Sequence, residues 1–415
     1  MSEQIKTLVP KLRFPEFKDA GQWEESRLED ICTKISQGGT PDTSNQDYWN
    51  GDIEWLTPAE MGKLETRFIT TTNRKISKAG LKNCSSDLLP IDSVILSTRA
   101  PIGHLLINKS EMAINQGCKG LMSLQSTDHN YLYYILASNK NALADLGAGN
   151  TFKELSGSAL KNFKIKIPKH PEQQKIADCL SSIDALITAQ TQKIAALKNH
   201  KKGLMQQLFP AEGETVPKLR FPEFQDAGDW EEKPLSHVAK YENGKAHEQE
   251  ISEFGQYVVV NSKFISTDGK VKKYTNRGNC LAKKDDILMV LSDVPNGRAI
   301  AKCFVVNADN LYTVNQRICK ITPTKALSKI LFYLINKNPY FLAFDDGVKQ
   351  TNLKNEDVLN CPLLLPEDPL EQQKIADCLS SIDELITAQT QKIEAYKAHK
   401  KGLMQQLFPI PVEAY

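Results

Sequence analysis

The sequence predicts an α+β chain: two mixed α/β modules separated by two long helices packed as an antiparallel coiled coil, in a pseudo-twofold or circular arrangement. Three observations predict it. First, Glu172 to Pro210 (EQQKIADCLSSIDALITAQTQKIAALKNHKKGLMQQLFP) recurs as Glu371 to Pro409, differing only at Ala185/Glu384, Ala195/Glu394, Leu197/Tyr396 and Asn199/Ala398. Second, a shorter tag precedes each half: Val9 to Glu25 (VPKLRFPEFKDAGQWEE) recurs as Val216 to Glu232, differing only at Lys18/Gln225 and Gln22/Asp229. Third, the segments between tag and long repeat, about Ser26 to His170 and Lys233 to Pro369, share almost no continuous identity. A separation of 199 residues, Glu172 to Glu371, is too long for a solenoid, so the chain is two copies of one large unit.

The long repeat reads as helix. Ile176, Leu180, Ile183, Ile187, Ile194, Leu197, Leu204 and Leu208 alternate steps of four and three, with Gln190 and Lys201 at the two remaining seam positions. The second copy places Ile375, Leu379, Ile382, Ile386, Ile393, Tyr396, Leu403 and Leu407 in the same way, with Gln389 on its seam. No Gly or Pro interrupts either run before Gly203 and Gly402. A helix of this length spans about 55 Å, too long to hide its apolar stripe alone, and the duplicate is the natural partner.

In chain order the expected segments are 1–22 (N-terminal tag), 23–170 (first module), 171–210 (central long helix), 211–229 (linker carrying the second tag), 230–369 (second module) and 370–415 (second long helix and tail). The first module opens with a loop, Gln37-Gly38-Gly39-Thr40-Pro41, and then Tyr48-Trp49-Asn50-Gly51-Asp52-Ile53-Glu54-Trp55. A strand at Ser93 to Ser97 leads into the turn Arg99 to Gly103, then Asn115-Gln116, a helical patch from Tyr131 to Leu146, closing glycines at Gly147 and Gly149, and a strand from Phe163 to Ile167. The second module repeats the plan with a strand at Asp286 to Ser292, a turn at Val294 to Gly297, Asn315-Gln316, a helical patch from Ile330 to Phe344 and a closure at Gly347 to Asn352. Trp23 and Trp230 are expected to anchor the starts of their modules in the cores.

Composition narrows the function. A net charge of +2 is too small for a stand-alone nonspecific nucleic-acid binder, so DNA binding must rest on local patches or on partners. Nine scattered cysteines without CxxC fit reduced thiols of a cytoplasmic protein. The N-terminus lacks a basic, then apolar, leader pattern, and no apolar run is long enough to span a membrane. There is no GxxxxGK[ST] and no GxGxxG after a strand, and the seven histidines show no HExxH pairing. Asn338-Pro339-Tyr340 lacks the second proline of amino-methyltransferase motifs and reads as a turn at a helix end.

The tandem variable modules, each followed by an EQQKIA-type long helix, together with GGTP…YWNGDIEW, LSTRAPIG and INQG, resemble the specificity subunit of type I DNA restriction–modification systems over the whole chain. The resemblance implies that each module is a target recognition domain reading one half of a bipartite site in double-stranded DNA. It implies that the helix pair sets the gap and docks two modification (methyltransferase) subunits, with restriction (translocase and nuclease) subunits joining that core. The chain itself is then not an enzyme and binds no cofactor; S-adenosylmethionine, ATP and Mg belong to the partner subunits, and no membrane is involved. The rival from another class is a non-catalytic coiled-coil scaffold presenting two protein-binding modules, for which the low net charge speaks.

Base reading needs forked hydrogen bonds from Arg, Lys, Asn or Gln, and phosphate holding needs cations. The first module offers Asn73, Arg74 and Lys75, with Lys78 and Lys82 beyond. The second offers Lys272, Lys273, Asn276 and Arg277 at a similar place, with Tyr274 interleaved. Arg99, in the turn after the strand, is the best single candidate; Arg298 stands just past Gly297 in the second module. Lys153 and Lys349, beside the closing turns, fit phosphate clamps or ordinary solvated loops. Asn115-Gln116 and Asn315-Gln316, shared by otherwise divergent modules, are expected to serve structure. Lys198, Lys201, Lys202 and their copies Lys397, Lys400, Lys401 stand near the helix C-termini, where complementing the dipole is the favoured reading and contact with DNA phosphates or a partner the alternative.

Overall fold

The computed structural model describes residues 9–64, 66–99, 101–147, 154–294 and 299–409. The chain divides into two compact units, Met1–Lys193 with Gln389–Tyr415, and Ile194–Ala388. The division cuts through both long helices, His170–Leu208 and Pro369–Leu407, which carry the repeat as expected. Each unit therefore contains one tag, one module, the N-terminal part of one long helix and the C-terminal part of the other.

Within unit 1 the two helix segments run in opposite directions. Ile176 and Leu180 of the first share a core with Leu403, Met404, Leu407 and Phe408 of the second, and Lys400 Nζ reaches Asp184 Oδ1 at 2.6 Å. Unit 2 repeats this with the helices exchanged: Leu204, Met205 and Leu208 pack with Ile375 and Leu379, and Lys201 Nζ reaches Asp383 Oδ2 at 2.6 Å. This corrects the dipole assignment of Lys201 and Lys400. Both lie on the seam and neutralise a carboxylate of the opposing helix. Each aspartate also accepts a tyrosine hydroxyl from its module, Tyr134 to Asp184 at 2.6 Å and Tyr333 to Asp383 at 2.8 Å. Burial, then that hydrogen bond, pushes both phenols well above their usual range, so they stay protonated donors. The heptad face has a second use that periodicity does not reveal. Its N-terminal third is buried in the module core, where Ile176, Ala177 and Leu180 join Tyr131, Leu132 and Ile135.

The tags explain why two separate stretches are duplicated together. Arg13 forks onto Glu172 (Nε to Oε1 2.7 Å, Nη2 to Oε2 2.7 Å) and donates Nη1 to the Gly21 carbonyl at 2.6 Å. Arg220 does the same to Glu371 (2.7 and 2.8 Å) and to the Ala227 carbonyl (2.6 Å). These pairs are deeply buried, with side-chain exposures of 9% and 3% in unit 1 and 7% and 1% in unit 2. The residue before each arginine bonds to the other long helix: Leu12 N to the Gln406 carbonyl at 3.0 Å, and Leu219 N to the Gln207 carbonyl at 2.9 Å. Each tag thus clasps the start of one helix to the end of the other, and in unit 1 this ties the first tag to the last turns of the second helix. The next residue of the repeat, Gln173 or Gln372, binds the module. Gln173 Oε1 accepts the Asp128 N–H at 3.0 Å and Gln372 Oε1 the Leu327 N–H at 3.0 Å, at the N-termini of the helices His129–Ser138 and Ser328–Ile335.

Both modules follow the expected common plan. In unit 1 a five-stranded sheet runs Cys32–Gln37, Cys118–Ser123, Val94–Ser97, Leu105–Asn108, Phe68–Ile69, and a three-stranded one runs Lys75–Ile76, Trp49–Leu56, Met112–Ile114. In unit 2 the sheets are Ala239–Asn243, Ile318–Pro323, Ile287–Val290, Cys303–Val305 and Ile251–Ser252, Tyr274–Thr275, Tyr257–Val260, Tyr312–Val314. The central strands Val94–Ser97 and Ile287–Val290 are buried on both faces, which is why they read as unbroken apolar runs. A two-stranded ribbon closes each module directly before its long helix, Glu24–Arg27 with Lys164–Ile167 and Glu231–Pro234 with Pro362–Leu365. Trp23 and Trp230 are each 2% exposed, as expected of anchors, although only Trp23 Nε1 finds Glu172, at 3.2 Å. All nine cysteines are free thiols, and Asn338 caps the short helix Pro339–Leu342.

Removing one member of a buried, forked ion pair strands the other charge, at a cost of about 3–5 kcal/mol. Glu172→Gln is expected to lower stability by about 3 kcal/mol in urea unfolding, and Glu371→Gln by a similar amount. Lys175→Ala, which breaks the exposed pair to Glu16, is expected to leave the unfolding midpoint where it is.

Candidate nucleic-acid interface

Each module is pinned where its opening loop meets the Asn-Gln run. At Gly38 a Cβ would lie 2.0 Å from the Asn115 carbonyl oxygen, and at Gly244 2.1 Å from that of Asn315, so only glycine fits either place. The asparagine N–H groups bridge to the second sheet, Asn115 to the Leu56 carbonyl at 2.8 Å and Asn315 to the Val260 carbonyl at 3.1 Å. The shared asparagines are thus structural, as their recurrence in divergent modules implies. In unit 1 Asn115 Nδ2 also donates to Thr40 Oγ1 and Gln116 Oε1, both at 2.8 Å, and fixes the GGTP loop.

That loop carries the predicted reader in unit 1. Trp55 Nε1 donates to the Gly39 carbonyl at 2.9 Å and Trp49 Nε1 to the Asp42 carbonyl at 3.0 Å, and the two indoles meet edge to face at 5.1 Å. Arg74 lays its guanidinium over both rings, 3.9 Å from Trp49 and 5.0 Å from Trp55. Stacking restrains the guanidinium while the residue stays exposed, so its donors remain available to a base edge or a phosphate. The YWNGDIEW stretch is therefore a platform for an arginine some twenty residues on. Lys75 is committed differently. It pairs at 2.7 Å with Glu54, which also accepts Thr72 N and Oγ1 at 2.6 and 2.8 Å. Burial raises the Glu54 carboxyl, but the Lys75 and Thr72 bonds outweigh it and hold the group below the usual range. Asn73 donates its backbone N–H to Glu60 at 2.8 Å and keeps its side chain exposed.

Arg99 stands against the same run, its Cβ 3.6 Å from where a Cβ of Gly117 would lie, and it pairs with Glu154 at 2.9 Å. The pair is about half exposed (48% and 44%), so it holds the arginine loosely, and a phosphate would compete for it. Half-buried Lys119 completes the group; burial lowers its ammonium, and Glu154 opposes that only in part. Sequence reading missed Lys119 and Glu154. Strand register supplies the signal for Lys119, because it sits opposite Leu96, just before the turn that carries Arg99. Lys153 lies outside the described residues.

In unit 2 a cavity of about 310 Å3 is lined by Lys263, Lys273 and Arg317 together with Asn261 and Asn315. Of these cations the sequence singles out only Lys273. The position of Arg317, directly after Asn315-Gln316, is the available clue, since Gly117 stands there in the first module. Lys272 is exposed. Asn276 accepts the Gln256 N–H at 3.1 Å, a structural use of its side chain. Arg277 meets Glu250 at 2.9 Å while remaining 73% exposed. Lys349 sits in an acidic turn where its own N–H and that of Val348 hold the Asp346 carboxyl low, surroundings that oppose a phosphate clamp. Arg298 lies outside the described residues.

Comparison with known proteins adds the following. The sequence model of the family described as "Type I restriction modification DNA specificity domain" matches residues 21–199 and again 227–395. The chain is 28% identical over 410 residues to the type I restriction enzyme MjaIX specificity subunit of Methanocaldococcus jannaschii, covering 93% of this chain and 92% of that protein. It is 26% identical over 417 residues to the MjaVIII specificity subunit of the same organism, covering 95% and 93%. In fold it is similar to the crystal structure of a type I restriction-modification S subunit from M. genitalium, with a TM-score of 0.64, 14% identity and coverage of 97% and 100%.

On duplex DNA, Lys273→Ala combined with Arg317→Ala is expected to weaken binding for all sequences alike and to flatten the plot of log affinity against log salt by about 0.9 for each phosphate left unneutralised. Arg74→Ala is expected instead to relax preference at one or two base positions, by about 1–3 kcal/mol each. Quantitative binding to a panel of duplexes at several salt concentrations separates the two outcomes.

Proposed function

The chain belongs to the type I restriction-modification DNA specificity family, with two copies of the family's domain, and we propose that it works as the DNA-reading subunit of such a complex. Each module reads one half of a bipartite site in double-stranded DNA, and the long helices set the distance between the halves. The observation that carries this reading is the contrast between scaffold and cargo. The clasp and the helix–helix contacts are repeated almost residue for residue in the two units, while the exposed cations differ: Arg74 and Arg99 in one, Lys263, Lys273 and Arg317 in the other. A protein that grips two different sequences with one geometry needs that division.

The chain acts without catalysis of its own. The methyl donor, the nucleotide and its metal belong to methyltransferase and restriction subunits that dock on the duplicated scaffold. The small net charge, +2, fits a reader that gains much of its DNA affinity from those partners. The same charge also fits a protein-binding scaffold, and exchanging a module separates the two readings. Replacing residues 26–170 with the corresponding segment of another specificity subunit is expected to change one half of the recognised site and leave the other half and the gap intact. A scaffold for proteins would show no change in DNA recognition, measured as the methylation pattern of the reconstituted complex.

A further inference from the structure

Strand register aligns the second sheets of the two modules position by position. Val258, Val259 and Val260 run parallel to Tyr312, Thr313 and Val314 as Glu54, Trp55 and Leu56 do to Met112, Ala113 and Ile114. The Val259 N–H donates to the Lys273 carbonyl at 2.8 Å, and the Trp55 N–H to the Arg74 carbonyl at 3.1 Å. Lys273 therefore stands where Arg74 stands, and Val259 where Trp55 stands. The correspondence extends outward: Trp49 and Ile53 both face Ile76, and Ile251 and Tyr257 both face Thr275. Between these anchors the first module has only Asn50, Gly51 and Asp52, whereas the second has Ser252, Glu253, Phe254, Gly255 and Gln256. The lengthened turn is where Phe254 enters.

That turn is tightly held. A Cβ on Gly255 would lie 2.6 Å from the Thr275 N, so the backbone is pressed against the neighbouring strand. The Ser252 hydroxyl donates to the Phe254 carbonyl at 2.6 Å and accepts its N–H at 3.3 Å, and Asn276 accepts the Gln256 N–H at 3.1 Å. Yet the Phe254 side chain is 81% exposed, more than any other large apolar side chain among the described residues. The charges around it point to nucleic acid. Ile251, three residues earlier, lines the cavity that Lys263, Lys273 and Arg317 share. Glu250 is taken up by Arg277 and Asn279, both at 2.9 Å. Exposed Glu253 repels phosphate but can accept from a cytosine amino group, so the tip suits bases and the cavity suits the backbone. In the first module the aromatic rings support an arginine; in the second the ring itself is presented. Resting on the DNA-reading function above, we infer that Phe254 is a wedge. It enters between two base pairs of the half-site read by the second module, while the cavity cations hold the flanking phosphates. A wedge of this kind unstacks one step and bends the duplex, which favours flexible steps such as TA or CA and adds specificity without a hydrogen bond.

The test uses the full-length chain assembled with the methyltransferase subunit of its system, on duplexes carrying the site it selects from randomised DNA. 2-Aminopurine, which brightens when unstacked, is placed in turn at and beside each block of that site, and fluorescence is read at saturating protein. Wild type is expected to brighten one step in one block through Phe254. Phe254→Ala is expected to abolish that signal, to lower affinity about five- to hundredfold, and to leave every signal in the other block unchanged. Phe254→Trp keeps both signal and affinity. Because the ring is exposed, both variants should unfold at the wild-type temperature. Signals caused by the methyltransferase persist in every variant and so are told apart. A wild-type complex that prefers no duplex would overturn the functional reading itself. A preferred site on which Phe254→Ala matches wild type in fluorescence would overturn only the wedge. Lost affinity with unchanged fluorescence would make Phe254 a surface contact and overturn the wedge too.

Discussion

The fold depends on one buried contact made twice, a tag arginine forked onto the first glutamate of a long helix. Neither Arg13–Glu172 nor Arg220–Glu371 is reachable by water to any useful extent, so each charge relies on its partner and on the Gly21 or Ala227 carbonyl. Such a pair contributes little net stability compared with apolar packing, yet breaking it is costly, which makes it a device for register. It fixes where the tag lies along the helix, and the adjoining Leu12 and Leu219 N–H groups then fix the end of the other helix. Gln173 and Gln372, one residue further on, carry the same register into the recognition modules.

That chain of contacts explains why two stretches far apart in sequence are held nearly identical while everything between them differs. A module has only to present a helix N-terminus for the glutamine, a tyrosine for the seam aspartate and a ribbon strand to close on. Tyr134 and Tyr333, from modules with almost no continuous identity, meet these demands in the same way. Gly38 and Gly244 do likewise inside the modules, because the backbone of Asn115 or Asn315 passes too close for any side chain. Loops free of these demands can vary, and there the exposed arginines and lysines stand.

Much of this was legible in the sequence. Near-identical repeats and heptad spacing marked the helices and the tags, and Trp23 and Trp230 declared themselves as anchors. Periodicity marks which residues seek burial without saying against what, so Ile176 and Leu180 read as coiled-coil seam although they also complete a module core. Charges near a helix end read equally well as dipole partners, and only the antiparallel crossing shows Lys201 and Lys400 meeting aspartates. In the candidate interface the residue types were visible but their commitments were not. Arg74 is set by two tryptophans, Lys75 is spent on Glu54 and Arg99 is shared with Glu154, while Lys263 and Arg317 converge on Lys273 through tertiary structure alone.

The proposed function requires two independent readers that act at a fixed separation. It is tested most directly by selecting from randomised duplexes with the chain assembled on its methyltransferase subunit and sequencing what is retained. The account predicts a split motif: two short specified blocks separated by an unspecified gap of constant length. A continuous motif, blocks at variable distance, or no enrichment at moderate salt would contradict it.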